Sequence, residues 1–464
     1  MACNCKPYPS TPIRFQLEID VMRVKFFQNA MALDIPNNAA CHSNFARTAV
    51  IAILAAFASS ISAAQDRATS SVIDLPYALS RTLSDNPDLI ATGYQMQVLD
   101  AQILQAGIKP RPELYIEVEN ILGSGPNDLL RGMQTTGSIA WILERGVRTR
   151  RVSAARAGST LLETEITLQR LDAAAETARR YVQCLVLQNR LQNATGGIRL
   201  GQEVVEATQR RVSAATTPTA ELARAQADLR RMELVAEDIE HELEAAYHRL
   251  AQQWGSTDPE FSRVIGNLFS IPNIENFESL RERLAQNPDI ERYLSLQRMN
   301  NAQLELEEAR NKQSWRVSGG FRWLEQTSDH AFVADITIPL GNDNSNRGRI
   351  AEQRAIIART EAEKQAQRLK IETDLYVIYL ELEHSIHLTS AFANDMIPLY
   401  EQAMEETQLA YESGRYSYLE WSTSQLNLLN VRYELIDAAM NIYQNLIEIE
   451  RLTGVTIEVP QLRQ

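Results

Sequence analysis

Leu79-Ser-Arg-Thr-Leu-Ser-Asp-Asn-Pro-Asp-Leu89 returns later in the chain as Leu280-Arg-Glu-Arg-Leu-Ala-Gln-Asn-Pro-Asp-Ile290. The two Asn-Pro-Asp triplets, at Asn86 and Asn287, stand 201 residues apart. Working outward, Ile139-Ala-Trp-Ile-Leu143 matches Ile336-Thr-Ile-Pro-Leu340. Gln226 pairs with Gln425 and Gly255 with Gly454, both at a separation of 199. An offset this constant over some 170 residues marks an internal duplication of one supersecondary unit.

Each copy reads as helix, two strands, very long helix, turn, helix. The spacing predicts a first helix from about Pro76 to Gly107 and its copy from about Phe277 to Lys312. The long helices are expected after Arg148 and Asn346, running with few breakers to about Val212 and Glu412. At about 1.5 Å per residue, some 65 residues reach on the order of 100 Å, the length of a rod that crosses a periplasm or builds a coiled coil. Gly196-Gly197 and Pro398 fall at nearly equivalent places, and a kink or short break is expected at both.

Four segments between the helices alternate strictly. Leu114, Ile116 and Val118 oppose Tyr115, Glu117 and Glu119, while Ile139, Trp141 and Leu143 oppose Gln134, Thr136 and Ser138. Trp315, Val317, Phe321 and Trp323 oppose Arg316, Ser318 and Arg322, and Phe332, Ala334, Ile336, Ile338 and Leu340 oppose Asp335 and Thr337. Period two means one apolar and one polar face. A half-buried sheet in a soluble domain produces the same pattern. Strand lengths near ten and aromatic strand ends favour a tilted membrane span. Four strands leave open edges, which lipid does not tolerate, whereas three chains supply twelve. Trimerisation is the simplest closure.

The composition of the 464 residues, 44% hydrophobic and 23% charged, is that of a folded protein. A formal charge of −13 excludes nucleic acid as a partner, since no basic face is left to neutralise phosphates. Arg47 followed by the apolar run Ala49 to Ala58 and by Ser-Ile-Ser-Ala-Ala reads as an export signal, cleaved before Gln65. Residues before about 40 lack that character, so Met31 is a candidate start. Cleavage takes five basic and three acidic residues and moves the balance from −13 to −15. It also removes Cys3, Cys5 and Cys41, leaving Cys184, read as a small buried hydrophobe, and no disulfide. The expected divisions are 1–64 as extension and signal peptide, 65–262 as the first repeat and 263–464 as the second.

Residues 74–460 resemble the TolC family of outer-membrane efflux proteins through the duplicated Asn-Pro-Asp helix, the four strands and two tip turns. Pro112-Glu-Leu-Tyr-Ile-Glu-Val-Glu-Asn-Ile-Leu-Gly123 and Ile142-Leu-Glu-Arg-Gly-Val-Arg-Thr-Arg-Arg151 are similar to segments of its heavy-metal (cobalt-zinc-cadmium) resistance channels. The fold this resemblance implies is mainly α with a β-barrel portion. It is an internally duplicated homotrimer whose twelve-stranded outer-membrane barrel continues as a long periplasmic α-helical barrel. The implied partners are a periplasmic adaptor (membrane fusion) protein, an inner-membrane resistance-nodulation-division pump reached through it, and outer-membrane lipid.

The resemblance places the helix-turn-helix tips at Arg211–Leu222 and Ala410–Trp421, with Arg211, Ser213, Ala215, Gly414 and Leu419 as adaptor-contacting residues. The family carries glycine at both turns; Gly414 fits and Ala215 departs. Glu420 matches an acid lining the constriction, Thr423 replaces a second one, and Tyr411 with Glu221 matches a bonded tip pair. Three Glu420 carboxylates on a narrow axis would gather cations. The plainer reading of Glu420 and Glu221 is a pair of solvated acids at helix N-termini.

No phosphate loop, catalytic constellation or metal-site spacing stands out, so no enzyme, cofactor or bound metal is expected. The function implied is a passive channel for divalent heavy-metal cations. The alternatives are a channel of the same type for drugs or other small organic molecules, and a periplasmic adaptor. The adaptor has one helical hairpin between lipoyl-like β halves, whereas this chain has two hairpins.

Overall fold

The computed structural model describes residues 72–271, 274–340 and 346–454. The expected export segment, 1–64, lies outside them. Strand β1 (Val72–Ile73) leads into α1 (Leu75–Asp85) and α2 (Pro87–Ala106), followed by β2 (Glu113–Glu119), β3 (Gln134–Leu143), α3 (Val147–Ser213), α4 (Thr219–Ala251) and β4 (Arg263–Val264). The order resumes with α5 (Phe277–Arg283), α6 (Pro288–Arg310), β5 (Trp315–Leu324), β6 (Asp329–Thr337), α7 (Arg347–Ala391), α8 (Ile397–Glu412) and α9 (Tyr418–Thr453).

The predicted first helix is two helices in each half. Asn86 and Asn287 precede prolines, which push them out of the α region to ψ 123° and 127°. Each then caps the helix that follows: Asn86 Oδ1 accepts from Asp88 and Leu89 N–H, and Asn287 Oδ1 from Ile290 N–H. The Asn-Pro-Asp motif is therefore a stop and a start.

The four strands form one antiparallel sheet in the order β2-β3-β5-β6, so β2 and β6 each have one unpaired edge. The register puts Glu117, Thr136, Arg322 and Ala331 on one rung. Along that face Arg322 donates to Thr136 Oγ1 and Gln134 Oε1 and pairs with Glu119 at 3.0 Å, and Arg316 pairs with Glu113 at 3.0 Å. The opposite face carries the apolar set anticipated from alternation. It lies bare, with Leu114 71%, Phe321 66% and Phe332 70% exposed. Two strands depart from expectation. β2 has seven residues rather than about ten, because Asn120 turns left-handed at φ 57°. β6 lies three residues earlier than expected, ending before Pro339, which has no N–H to donate. Among the described residues no helix is long and apolar enough to cross a membrane.

Helix α3 has 67 residues and spans about 100 Å. It runs without a break through Gly196-Gly197. Gly197 and Gly201 serve packing: a Cβ on Gly197 would stand 3.0 Å from Leu429 Cδ1, and one on Gly201 3.1 Å from Met232 Sδ. Glycine at both lets α9 and α4 approach closely. In the second half the irregularity does occur, as a π turn at Phe392–Met396 just ahead of Pro398, which opens α7 into α8. One core cluster joins α1, α3, α4 and α9 around Tyr181, Val186, Leu250 and Ile447, and a second joins α5, α7 and α9 around Leu375, Leu382 and Ile442. Each fully buried Leu or Ile there contributes roughly 1.5–3 kcal/mol. Two tyrosines pin the connecting chain to the helices. The Tyr181 hydroxyl lies 2.5 Å from Ile265 O and 3.1 Å from Ile73 O, across the parallel β1–β4 pair, and the Tyr443 hydroxyl lies 2.7 Å from Ser270 O.

Candidate functional site

The two predicted tips are the turns α3–α4 and α8–α9. Both end the incoming helix in the same way. Thr216 N–H bonds to Arg211 O at 3.0 Å and Ala215 N–H to Val212 O at 3.0 Å; Arg415 N–H bonds to Ala410 O at 2.9 Å and Gly414 N–H to Tyr411 O at 2.9 Å. This is the Schellman closure, which requires a left-handed residue after the helix. Gly414 supplies it at φ 75° and Ala215 at φ 55°. The alanine thus adopts the glycine conformation, with the strain of a Cβ in that region.

Behind the turns lies a separate core of Val204, Ala207, Ala225, Tyr411, Tyr418 and Trp421. The Tyr411 and Trp421 ring centroids lie 5.0 Å apart at a tilt of 33°, and the Arg211 guanidinium lies over the Tyr411 ring, 4.7 Å from its centroid. Arg211 also donates to the Tyr411 carbonyl and, through Nε, to Thr217 Oγ1 at 3.0 Å. One side chain from the first tip therefore ties down the last turn of the helix entering the second. The Tyr411 hydroxyl donates to Thr208 Oγ1 at 3.1 Å. The Tyr418 hydroxyl donates to Asp228 Oδ2 at 2.7 Å, and burial, with the Asp228 charge adding to it, pushes its pKa up.

Glu420 is the third residue of α9 and closes a capping box. Its Oε2 accepts from Ser417 N–H at 2.6 Å and from Ser417 Oγ at 2.8 Å. The backbone bond first and the hydroxyl second hold its carboxyl below the ordinary range. Glu221 occupies the matching place in α4, but its N-cap is Pro218, which offers no side-chain cap. The exposed turn surface carries Ser213, Ala215, Gly414 and Leu419. Arg211 is half-buried and committed within the chain. Tyr411 and Glu221, predicted as a bonded pair, are not brought together within one chain. Tyr411 points inward to Thr208, while Glu221 sits in the first turn of α4.

Sequence reasoning missed Thr208 and Asp228, which act through contacts across 203 and 190 residues, and Trp421, whose ring packs against Tyr411 in the tip core. Spacing along the chain carries no signal for them. Cys184 is buried and its thiol is pushed up to about 12 by desolvation, as a core residue rather than a reactive one. Among the described residues no group of three or more His, Cys, Asp or Glu is placed to hold a metal ion.

No protein-family model matches the chain. It is 24% identical over 384 residues to the cobalt-zinc-cadmium resistance protein CzcC of Cupriavidus metallidurans, covering 82% of this chain and 90% of that protein. Among solved structures it is similar to CusC, described in connection with folding and transmembrane channel formation. The TM-score is 0.68 at 17% identity, covering 82% of this chain and 92% of that one. It is likewise similar to the outer-membrane channel OprN, with a TM-score of 0.67 at 18% identity, covering 82% and 90%. The chain thus has the fold of these solved channels and a likeness to CzcC along most of its length.

Proposed function

We propose that the chain is the outer-membrane channel of a tripartite efflux system and conducts divalent heavy-metal cations passively out of the periplasm. The observation that carries this reading is the four-stranded sheet. One face is apolar and exposed, the other is a charged ladder, and neither edge is paired. Such a sheet is unstable in water and incomplete in lipid. Three copies, joined β2 to β6, make a closed barrel of twelve strands with the Glu113–Arg316 and Glu119–Arg322 pairs inside. The metal cargo follows from the likeness to CzcC.

The rest of the reading follows from that assembly. Residues 65–262 and 263–464 are duplicated halves, following an export segment at 1–64, and the long helices of three chains continue the barrel into the periplasm. The tips meet a periplasmic adaptor through Arg211, Ser213, Ala215, Gly414 and Leu419, and through it a resistance-nodulation-division pump. The gate is lined by Glu420, with Tyr411 and Glu221 shaping the tip. The Ser417 bonds use only Oε2 of Glu420, so the exposed carboxylate keeps its charge while it caps the helix. The solved relatives are channels, and no reaction is assigned to this chain.

The test is single-channel conductance of the purified protein in planar bilayers. The expected result is a small cation-selective conductance that loses selectivity in Glu420→Ala. A conducting trimer whose selectivity is untouched by that substitution removes Glu420 from the gate. A protein that neither trimerises nor inserts overturns the channel itself.

A further inference from the structure

Helix α3 begins with a breach of a local rule. The positive end of a helix dipole favours acids in the first turn. Here the first turn holds no acid, the N-cap is Gly146 with no side-chain cap, and Arg148, Arg150 and Arg151 follow at once. A cost placed at the start of the longest helix among the described residues calls for a return elsewhere in the fold.

That return lies at the end of α2. The last carbonyls of a helix have no partner within it. Arg151 donates through Nε to Ala106 O at 2.7 Å and through Nη2 to Ile108 O at 2.9 Å, and Arg148 donates through Nε to the intervening Gly107 O at 2.7 Å. Three successive carbonyls are captured by two side chains. The Arg151 fork is itself held by Glu144, at 3.0 Å, from the end of β3. Residues 107–112, with Pro110 and Pro112, form no regular element and lead directly into β2. β2 pairs with β3 on one side and with nothing on the other. In the second half the corresponding junction is built differently, from Asn346 Nδ2 on Glu307 O and Oε2.

We propose that Arg148 and Arg151 are positioning residues for assembly: by clamping the α2 carbonyls they set the angle and starting point of β2, so that its free edge is presented to β6 of a second copy of this chain. This rests on the reading of the sheet as one third of a barrel. The other two arginines of the run are committed to different elements. Arg150 pairs with Glu305 of α6, and the Arg145 guanidinium lies 5.1 Å over the Trp315 ring of β5. Every arginine of the run is thus held by the chain.

The experiment follows heat-modifiable, SDS-resistant trimer in membranes of cells making wild type, Arg151→Lys, Arg151→Ala and the double variant Arg148→Ala/Arg151→Ala. Helical content and thermal unfolding of the same proteins are measured in detergent. A planar fork spans two carbonyls and Glu144, and an ammonium does not. Loss of several charge-assisted bonds lowers trimer yield by about tenfold or more in the double variant, with Arg151→Lys between it and wild type. Helical content stays at the wild-type level, because Val147 still packs the first turn of α3 against Leu306 and Ala309 of α6, and the larger core cluster of α3 lies farther along the helix. Wild-type trimer yield in the double variant overturns the proposal. So does a parallel loss of helical content, which would make the clamp part of general folding. Absence of trimer from wild type itself would instead strike the barrel reading, leaving the two failures distinguishable.

Discussion

The carboxamide of Asn287 donates through Nδ2 to the carbonyl of Leu452 at 2.6 Å while its Oδ1 caps α6. Asn86 does the same in the first half, with Nδ2 on Gln253 O at 2.8 Å. Beside each lies a left-handed glycine whose Cβ would meet the adjoining proline at 3.2 Å, Gly255 on Pro87 and Gly454 on Pro288. One side chain thus starts a helix and fastens it to the last turn of α9 or to the turn just past α4. Replacing Asn287 by Asp keeps the cap and removes the donor, leaving the buried Leu452 carbonyl against an oxygen. A loss of about 1–3 kcal/mol is expected, read as a lower midpoint of helical unfolding in detergent. An unchanged midpoint would show that the bond carries no net stability.

At the left-handed position the two tips differ by one atom, the Cβ of Ala215. Ala215→Gly relieves a left-handed Cβ and is expected to stabilise the first tip by up to about 1 kcal/mol, while Gly414→Ala destabilises the second by about 1–2 kcal/mol. The nearest atom to a Cβ at Gly414 is Arg211 Nη2 at 3.7 Å, so the effect there is one of backbone and not of crowding. Limited proteolysis at the tips reports both. Opposite signs are required.

Adjacent glycines in α3 separate packing from propensity. Gly196 has open space around a Cβ, so Gly196→Ala should gain up to about 1 kcal/mol of helix propensity. Gly197→Val drives against Leu429 and should cost about 1–3 kcal/mol. Equal effects of the two on the thermal midpoint would contradict the close approach of α9.

The Glu420 carboxyl is held below its ordinary range by Ser417. A depressed folded value means that the cap is fully stabilising above the ordinary glutamate pKa, about 4.3, and is lost as pH falls through the lowered folded value. Protease cleavage at the start of α9 should rise at acidic pH in wild type. In Glu420→Gln it should already be raised at neutral pH and vary little with acidification. A wild-type profile that is flat down to pH 3 would be inconsistent with this cap.

Much of the fold was legible in the residues because it is written in short-range periodicity. Two strands, Gln134–Leu143 and Trp315–Leu324, follow from alternation, and the long α3 from the absence of breakers. The Asn-Pro-Asp triplet looked like part of a helix, and it is a junction, because proline acts on the residue before it. The Gly196-Gly197 pair looked like a hinge, and Gly197 is a contact surface, because only the packed α9 reveals what glycine makes room for.

The sequence by itself determined the order of the longer elements, the two-faced strands and the places of the tip turns, since each depends on backbone preferences within a few residues. Only the tertiary structure decided what those elements do to one another. It showed that Tyr411 turns to Thr208 rather than Glu221, that Arg211 ties the two tips together, and that Arg148 and Arg151 clamp α2. These are contacts between residues some 40 to 200 positions apart, and side-chain reach across packed helices has no signature in local spacing.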